Sequence, residues 1–304
     1  MNAIGLTPLI KLERLTDPGY AEIYVKYEGA NPTGSMKDRM ALSMIEGAER
    51  RGDLKPGGTV VEYTGGSTGS SLAMVCAVKG YHGHFVSSDA FAEEKLLTMR
   101  AFGAELDIVP SENGLITAKL IDSLVERARE LSKNPDTFWT DQLNNTDNRN
   151  AYHIMADEIV NVLGNDIDEF IMGVGTGGCF SGNSEVLKSK IPGIRCIALE
   201  PYNVRSLSGG DTSGTHKLEG IGAGFVPSIC RLDMADEIMQ VSDEDAIMTA
   251  RKLAKMEGIF GGTTSGANVW AAIQRSRIIG KGKKIVTIIC DSGLKYLDGE
   301  LFRC

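Results

Sequence analysis

A lysine stands where the start of a helix least favours one. In Asn31-Pro32-Thr33-Gly34-Ser35-Met36-Lys37-Asp38-Arg39, a turn signal with a serine cap leads into a helical pattern whose first turn carries Lys37. The positive end of a helix dipole opposes an ammonium, so a lysine held there gives up its proton more readily. A neutral lysine amine is the nucleophile that Schiff-base chemistry needs. The same residues also read as a solvated lysine beside an Asp–Arg pair, and the segment alone does not choose.

Two glycine clusters offer anion sites. Tyr63-Thr64-Gly65-Gly66-Ser67-Thr68-Gly69-Ser70 runs from a strand pattern into a helix, gathering backbone N–H groups and hydroxyls in a nest suited to a carboxylate, or making only an N-capped turn. Gly173-Val174-Gly175-Thr176-Gly177-Gly178 satisfies G-x-G-x-x-G between a strand and a helix, and Glu200 follows 22 residues after Gly178. That is formally the dinucleotide fingerprint with its acid. Physically the glycines say only that a phosphate can reach a helix N-terminus, so a nicotinamide dehydrogenase using Gly173–Gly178, another phosphate ligand and a packing turn all stay open.

The elements that must carry these loops are short β-branched runs alternating with helical patterns, the mark of βα units and a parallel sheet covered on both faces. The pattern predicts strands over 23–29, 59–64, 84–89, 105–110, 137–142, 169–175, 195–201, 237–242 and 284–290, and helices near 36–51, 68–79, 92–102, 115–132, 147–163, 179–189, 243–256 and 266–278. The stretch 203–228 has neither periodicity, and a loop that long in a compact enzyme is usually functional. No linker divides the chain, so two domains would share it discontinuously.

Composition narrows the partners. With 304 residues and 42% hydrophobic content the chain can bury one or two cores, and a net charge of −8 draws it to neither nucleic acid nor an anionic membrane. A small polar metabolite is the expected partner. The 36 glycines, well above the usual ~7%, sit in clusters where backbone must approach something closely. Cys76, Cys179, Cys196, Cys230, Cys290 and Cys304 form no C-x-x-C pair and read as reduced thiols; His82-x-His84 lacks a third ligand, so no metal site is expected. No apolar run approaches the ~18 residues of a membrane span and no signal peptide is legible, so a cytoplasmic location is the expectation.

Five motifs in register carry a more specific message. The Asn31–Arg39 segment, Thr64–Gly69, Gly173–Cys179, His216-Lys217-Leu218-Glu219-Gly220-Ile221-Gly222 and Ile288-Ile289-Cys290-Asp291-Ser292-Gly293-Leu294-Lys295-Tyr296 together closely resemble the cysteine synthase family. These are pyridoxal-phosphate enzymes that also include cystathionine β-synthase and, more remotely, serine and threonine dehydratases. The resemblance spans roughly residues 5 to 302. It implies an α/β fold of two domains, each with a twisted, mostly parallel sheet flanked by helices, tryptophan synthase β-like and of fold type II. The smaller domain is expected over 36–146, with a mobile subdomain at about 83–130, and the larger, cofactor-phosphate-binding domain over 1–35 plus 147–304.

Carried over residue by residue, the resemblance implies that Lys37 forms the Schiff base with pyridoxal 5'-phosphate and moves the substrate Cα proton. Gly175, Thr176, Gly177, Gly178 and Cys179 would hold the phosphate, and Ser292 would face the pyridine nitrogen, whose neutral partner favours β-chemistry over deeper carbanion reactions. Thr64, Gly65, Thr68 and Gln142 would grip the substrate carboxylate. Four residues depart from the family: Ser67 stands for an Asn that contacts the cofactor ring, Gly65 for a carboxylate-binding Ser, Cys179 for a Thr of the phosphate loop, and Glu219 stands where Gln is common. The implied activity is β-replacement on an activated L-serine derivative, as in a cysteine synthase that uses O-acetylserine or O-phosphoserine with sulfide or another small nucleophile, in a homodimer. β-Elimination, as in a cysteine desulfhydrase or serine dehydratase, and a non-catalytic relative that binds the cofactor are the alternatives within the resemblance.

Overall fold

The computed structural model describes residues 1–114 and 117–303; Cys304 and residues 115–116, at the expected start of the 115–132 helix and within 83–130, lie outside the described residues. The chain forms two compact units, Met1–Ile4 with Lys37–Asn148, and Gly5–Met36 with everything from Arg149 on.

The chain begins with β1 (Leu9–Lys11) and β2 (Glu22–Tyr27), an antiparallel pair of the larger unit in the register Ile10↔Val25. It then builds the smaller unit without interruption: α1 (Lys37–Arg51), β3 (Thr59–Tyr63), α2 (Ser67–Lys79), β4 (His82–Ser88), α3 (Glu93–Ala101), β5 (Glu105–Val109), α4 (Ala118–Leu131) and β6 (Thr137–Trp139). These four strands make one parallel sheet in the order β5-β4-β3-β6. Val61, Val86, Leu124 and Ala128 form the centre of its core.

The short helix α5 (Thr146–Asn150) straddles the division between units. The chain then completes the larger unit with α6 (His153–Leu163), β7 (Glu169–Gly173), α7 (Gly178–Lys190), β8 (Arg195–Pro201), β9 (Glu237–Val241), α8 (Asp243–Lys252), α9 (Thr263–Ile279) and β10 (Lys284–Ile289). Its six-stranded sheet runs β1-β2-β10-β7-β8-β9 and is parallel except for β1. Every residue of β7 is buried, as a parallel strand covered on both faces requires. Its Ile171 shares a core with Ile23, Val25, Ile197, Val269 and Ile285.

Three departures from the sequence pattern have local causes. The expected helix over 147–163 is two helices, because Tyr152 turns inward between them and donates to the Met36 carbonyl at 3.4 Å. The expected strand over 137–142 stops at Trp139, where Thr140–Gln142 turns with Asp141 at φ 44°. The helix over 243–256 passes after Lys252 into a π-helical turn, Leu253–Glu257, that ends on Gly258 at φ 67°. β1, three residues long, carries too little periodicity to be read.

In a parallel sheet the loops that follow the strands gather at one edge, where α/β proteins bind ligands. In the smaller unit these are the loops after β3 and β6, and in the larger unit those after β7 and β10. Among the described residues no helix is long and apolar enough to cross a membrane.

Candidate active site

Within the smaller unit, Lys37 is the first residue of α1 and is half-buried. Its neighbours are not a solvated pair: Asp38 is 0% and Arg39 5% exposed, and Ser71 Oγ of α2 donates to Asp38 Oδ1 at 2.6 Å. The start of α1 is thereby pinned to α2, which removes the reading of Lys37 as part of a loose surface helix end.

The loop after β3 is folded by Thr64, whose buried Oγ1 accepts from Gly66 N at 3.0 Å and Gly69 N at 3.1 Å. Gly66, at φ 147°, is the residue before α2 and has no side chain with which to cap it. Thr68 Oγ1 donates to Gln142 Oε1 at 2.8 Å, and Gln142 Nε2 donates to the Tyr63 carbonyl at 3.2 Å. The structure thus brings Thr64, Thr68 and Gln142 together around the N-terminus of α2, with Gly65 exposed at the loop tip and Ser67 half-buried at the first helical position. A glycine N-cap, orphan N–H groups and two amphoteric side chains suit a carboxylate.

Sequence reasoning missed three residues here. Glu62, buried in β3, accepts from Thr140 Oγ1, Gln142 N, Tyr63 N and Trp139 Nε1. Burial pushes its carboxyl up to about 7 despite these donors. Phe91 and Lys95, before and within α3, lie over the loop: a Cβ on Gly65 would come within 2.9 Å of the Phe91 ring and one on Gly66 within 2.9 Å of Lys95 Cβ. The only sequence signal for Glu62 was an acid inside an apolar strand run; for Phe91 and Lys95 there was none.

Within the larger unit, α7 starts after Gly177, at φ 83° and again without a side-chain cap. Gly178 N donates to Thr176 Oγ1 at 3.3 Å, and Cys179 is buried with its carbonyl accepting from Asn183 Nδ2 at 2.8 Å. The glycines are also demanded by packing, since a Cβ on Gly175 would meet the Gly220 carbonyl oxygen at 2.0 Å and one on Gly177 the Cys230 Cβ at 2.5 Å. Gly220 belongs to the 203–228 stretch, so this long loop lies against the α7 entrance. Ser292 follows β10; its Oγ accepts from Leu294 N at 3.3 Å, and its N donates to the Gly34 carbonyl at 2.8 Å. Glu219 is exposed, with its carbonyl accepting from Thr264 Oγ1 at 2.5 Å.

Glu200 is unsuited to the ribose role of the dinucleotide fingerprint. Its buried carboxylate accepts from Leu207 N at 2.7 Å, Ser208 Oγ at 2.6 Å and Gln240 Nε2 at 3.2 Å, which anchors the 203–208 segment. The dinucleotide reading therefore fails on its acid. His84 comes no nearer than 3.9 Å to Glu105, and among the described residues no group of His, Cys, Asp or Glu is arranged to hold a metal ion. Burial pushes the Cys76 thiol up to about 12 and the Cys196 thiol up to about 11, which leaves both inert.

A family model described as pyridoxal-phosphate dependent enzyme matches residues 1–291. The chain belongs to this family. A cysteine synthase of Staphylococcus aureus is 41% identical over 301 residues, covering 98% of this chain and 95% of that one. An O-ureido-L-serine synthase structure superposes with a TM-score of 0.93 at 35% identity, covering 99% of this chain and 93% of that one. A hydrogen sulfide-producing enzyme of Fusobacterium nucleatum gives 0.90 at 40% identity, covering 97% and 98%. The protein is accordingly a pyridoxal-phosphate enzyme with two parallel-sheet α/β units. Its residues fit that cofactor: the α7 entrance is lined by Gly175, Gly177 and Gly178, and its N-cap residue Gly177 has no side chain to fill the anion position, an arrangement that accepts a phosphate.

Proposed function

We propose that the protein catalyses β-replacement on an activated L-serine derivative, as a cysteine synthase does with O-acetylserine or O-phosphoserine and sulfide. The observation that carries this reading is the Thr64–Thr68–Gln142 cluster at the start of α2, whose N-cap residue is a glycine, a carboxylate subsite in the same unit as Lys37. The bound cofactor supplies an electron sink that acidifies the substrate Cα–H and lets a β-substituent depart.

In this proposal the chain's own groups divide the remaining work. Lys37 Nζ holds the cofactor covalently in the resting enzyme, takes the proton from the substrate Cα and returns it to Cα after the nucleophile has added at Cβ. Gly175, Thr176, Gly177, Gly178 and Cys179 hold the phosphate through backbone N–H groups. Ser292 meets the ring nitrogen with a neutral hydroxyl, and Ser67 replaces an amide contact with a shorter hydroxyl one. Thr64, Gly65, Thr68 and Gln142 orient the carboxylate, so that the Cα–H bond faces Lys37. Movement of the 83–130 segment excludes water; the contacts of Phe91 and Lys95 with the loop support a link between α3 and substrate binding. The smaller domain is proposed over 36–146 and the larger over 1–35 plus 147–304, in a cytoplasmic homodimer.

β-Elimination is the second reading, favoured by Gly65, which removes a contact with the substrate carboxylate, by Ser67, which shortens a contact with the cofactor ring, and by the similarity to a hydrogen sulfide-producing enzyme. The test incubates the purified holoenzyme with O-acetylserine, O-phosphoserine, serine and cysteine in turn, with and without sulfide, and measures cysteine, sulfide and pyruvate. Cysteine formation from one of the first two supports replacement; pyruvate without sulfide incorporation supports elimination. Borohydride reduction should trap the pyridoxyl group on Lys37, and a label elsewhere, or cofactor binding without turnover of any substrate, overturns the proposal.

A further inference from the structure

Glu62 is an anomaly in its strand. β3 reads Thr-Val-Val-Glu-Tyr, and Glu62 is 0% exposed, an expensive place for a carboxylate unless its environment is built for it. Here it is. Oε1 accepts from Tyr63 N at 2.9 Å and Trp139 Nε1 at 3.4 Å, while Oε2 accepts from Thr140 Oγ1 at 2.6 Å and Gln142 N at 3.0 Å. All four partners are donors, so an acceptor-only group is what the position calls for.

The two Oε2 contacts bracket Asp141, whose φ of 44° is a conformation that a non-glycine residue keeps only when its surroundings over-determine it. From the other side Asn148 Nδ2 donates to the Gln142 carbonyl at 2.7 Å. The Gln142 backbone is thus gripped at both its N–H and its C=O, which leaves its side chain aimed at Thr68 Oγ1 and the Tyr63 carbonyl.

We propose that Glu62 is a positioning residue for the substrate: by clamping the Thr140–Gln142 turn through Oε2 it fixes the Gln142 carboxamide against Thr68 and so sets the affinity for the amino-acid carboxylate. This inference rests on the reading of Thr64, Thr68 and Gln142 as the carboxylate subsite. Glu62 touches no reacting atom, so it acts on substrate affinity and leaves cofactor retention alone.

A double-mutant cycle on the holoenzyme tests it, with L-alanine, an amino acid without a β-leaving group, as the probe and the change in cofactor absorbance as the readout. Glu62→Gln, which sets an amide N–H₂ among donors, should weaken L-alanine binding about tenfold, with cofactor retention unchanged. In a Gln142→Ala background the same change should cost less than about twofold, since the side chain it positions is gone. Equal losses in both backgrounds, no loss in either, or loss of cofactor in step with loss of L-alanine make Glu62 a support of the strand alone and overturn the proposal. Unchanged affinity in Gln142→Ala by itself overturns the subsite reading and the proposal with it. Should Glu62→Gln fail to fold, Thr140→Val removes one of the two donors to Oε2 and should show the same non-additivity with Gln142→Ala.

Discussion

Glycine does two jobs at the start of α7, and they separate at the level of single residues. Gly177 holds φ at 83° and leaves no room for a Cβ beside Cys230, so any side chain at 177 disturbs packing whether or not a phosphate binds there. Thr176 has no such constraint: it is half-exposed, already carries a Cβ and already contacts Gly178 N through its side chain. An aspartate at 176 should cap the helix end with its own charge, which favours the fold and excludes the phosphate. Thr176→Asp is therefore expected to retain cofactor roughly tenfold to a hundredfold less well, through like-charge repulsion, with an unchanged or raised thermal midpoint of the apoprotein. Equilibrium dialysis against pyridoxal phosphate, with calorimetry of the apo form, reads both. Retention equal to that of the parent protein would mean that the phosphate lies elsewhere. The sequence made this loop legible because glycines in that order leave few uses for a helix end, but it could not say which glycines serve the ligand and which serve Gly220 and Cys230.

The helices and strands themselves were the most legible part, since strands such as β3 and β10 are β-branched runs and helices such as α4 show a clear apolar face. What the pattern could not show was how one element leans on another's loop. α3 is the example. Its entrance residue Phe91 fills the space above Gly65, and its first-turn residue Lys95 lies across Gly66. The family's serine at position 65 therefore cannot be restored as an isolated change: its Cβ meets the Phe91 ring at 2.9 Å, and the ring or the whole entrance of α3 must give way. Gly65→Ser alone should lower the thermal midpoint and should raise KM for O-acetylserine, because the loop it strains is the one that grips the substrate. Combining it with Phe91→Ala should recover most of both losses, with a coupling of about 1 kcal/mol or more. Additive effects of the two substitutions would show that the ring and the loop tip move independently. Glu62 escaped the pattern for a related reason, since an acid within an apolar strand gains meaning only when the donors of another segment are seen to converge on it.

At the scale of the whole chain, the two units differ most in how far apart their partners lie in sequence. The smaller unit pairs β3 with β4 from residues 59 and 82 onward, and the run from Lys37 to Asn148 is contiguous. In the larger unit β2 lies inside the sheet, paired residue for residue with β10 from Glu22↔Lys284 to Tyr27↔Ile289, and buries Ile23 and Val25 completely. Closing a loop that long costs roughly 2 kcal/mol more than closing the β3–β4 connection, and long-range parallel pairing is intrinsically slow. The consequence reaches the cofactor residues of that unit. Beyond β2, Met36 N donates to the Cys290 carbonyl and Ser35 bridges to Asp291, so Ser292 is in place only once the two ends of the chain have met. Two tryptophans make the difference measurable, because Trp139 ends β6 in the smaller unit and Trp270 lies in α9 of the larger. In refolding from urea, the Trp270→Phe variant reports the smaller unit and the Trp139→Phe variant the larger, and the larger should regain its native fluorescence roughly tenfold or more slowly, in line with its higher contact order. Cofactor fluorescence should follow the slower signal. Identical rates from the two variants would mean that one cooperative step folds both units, and a faster Trp270 signal would mean that β2 is added after the core of the larger unit has already formed.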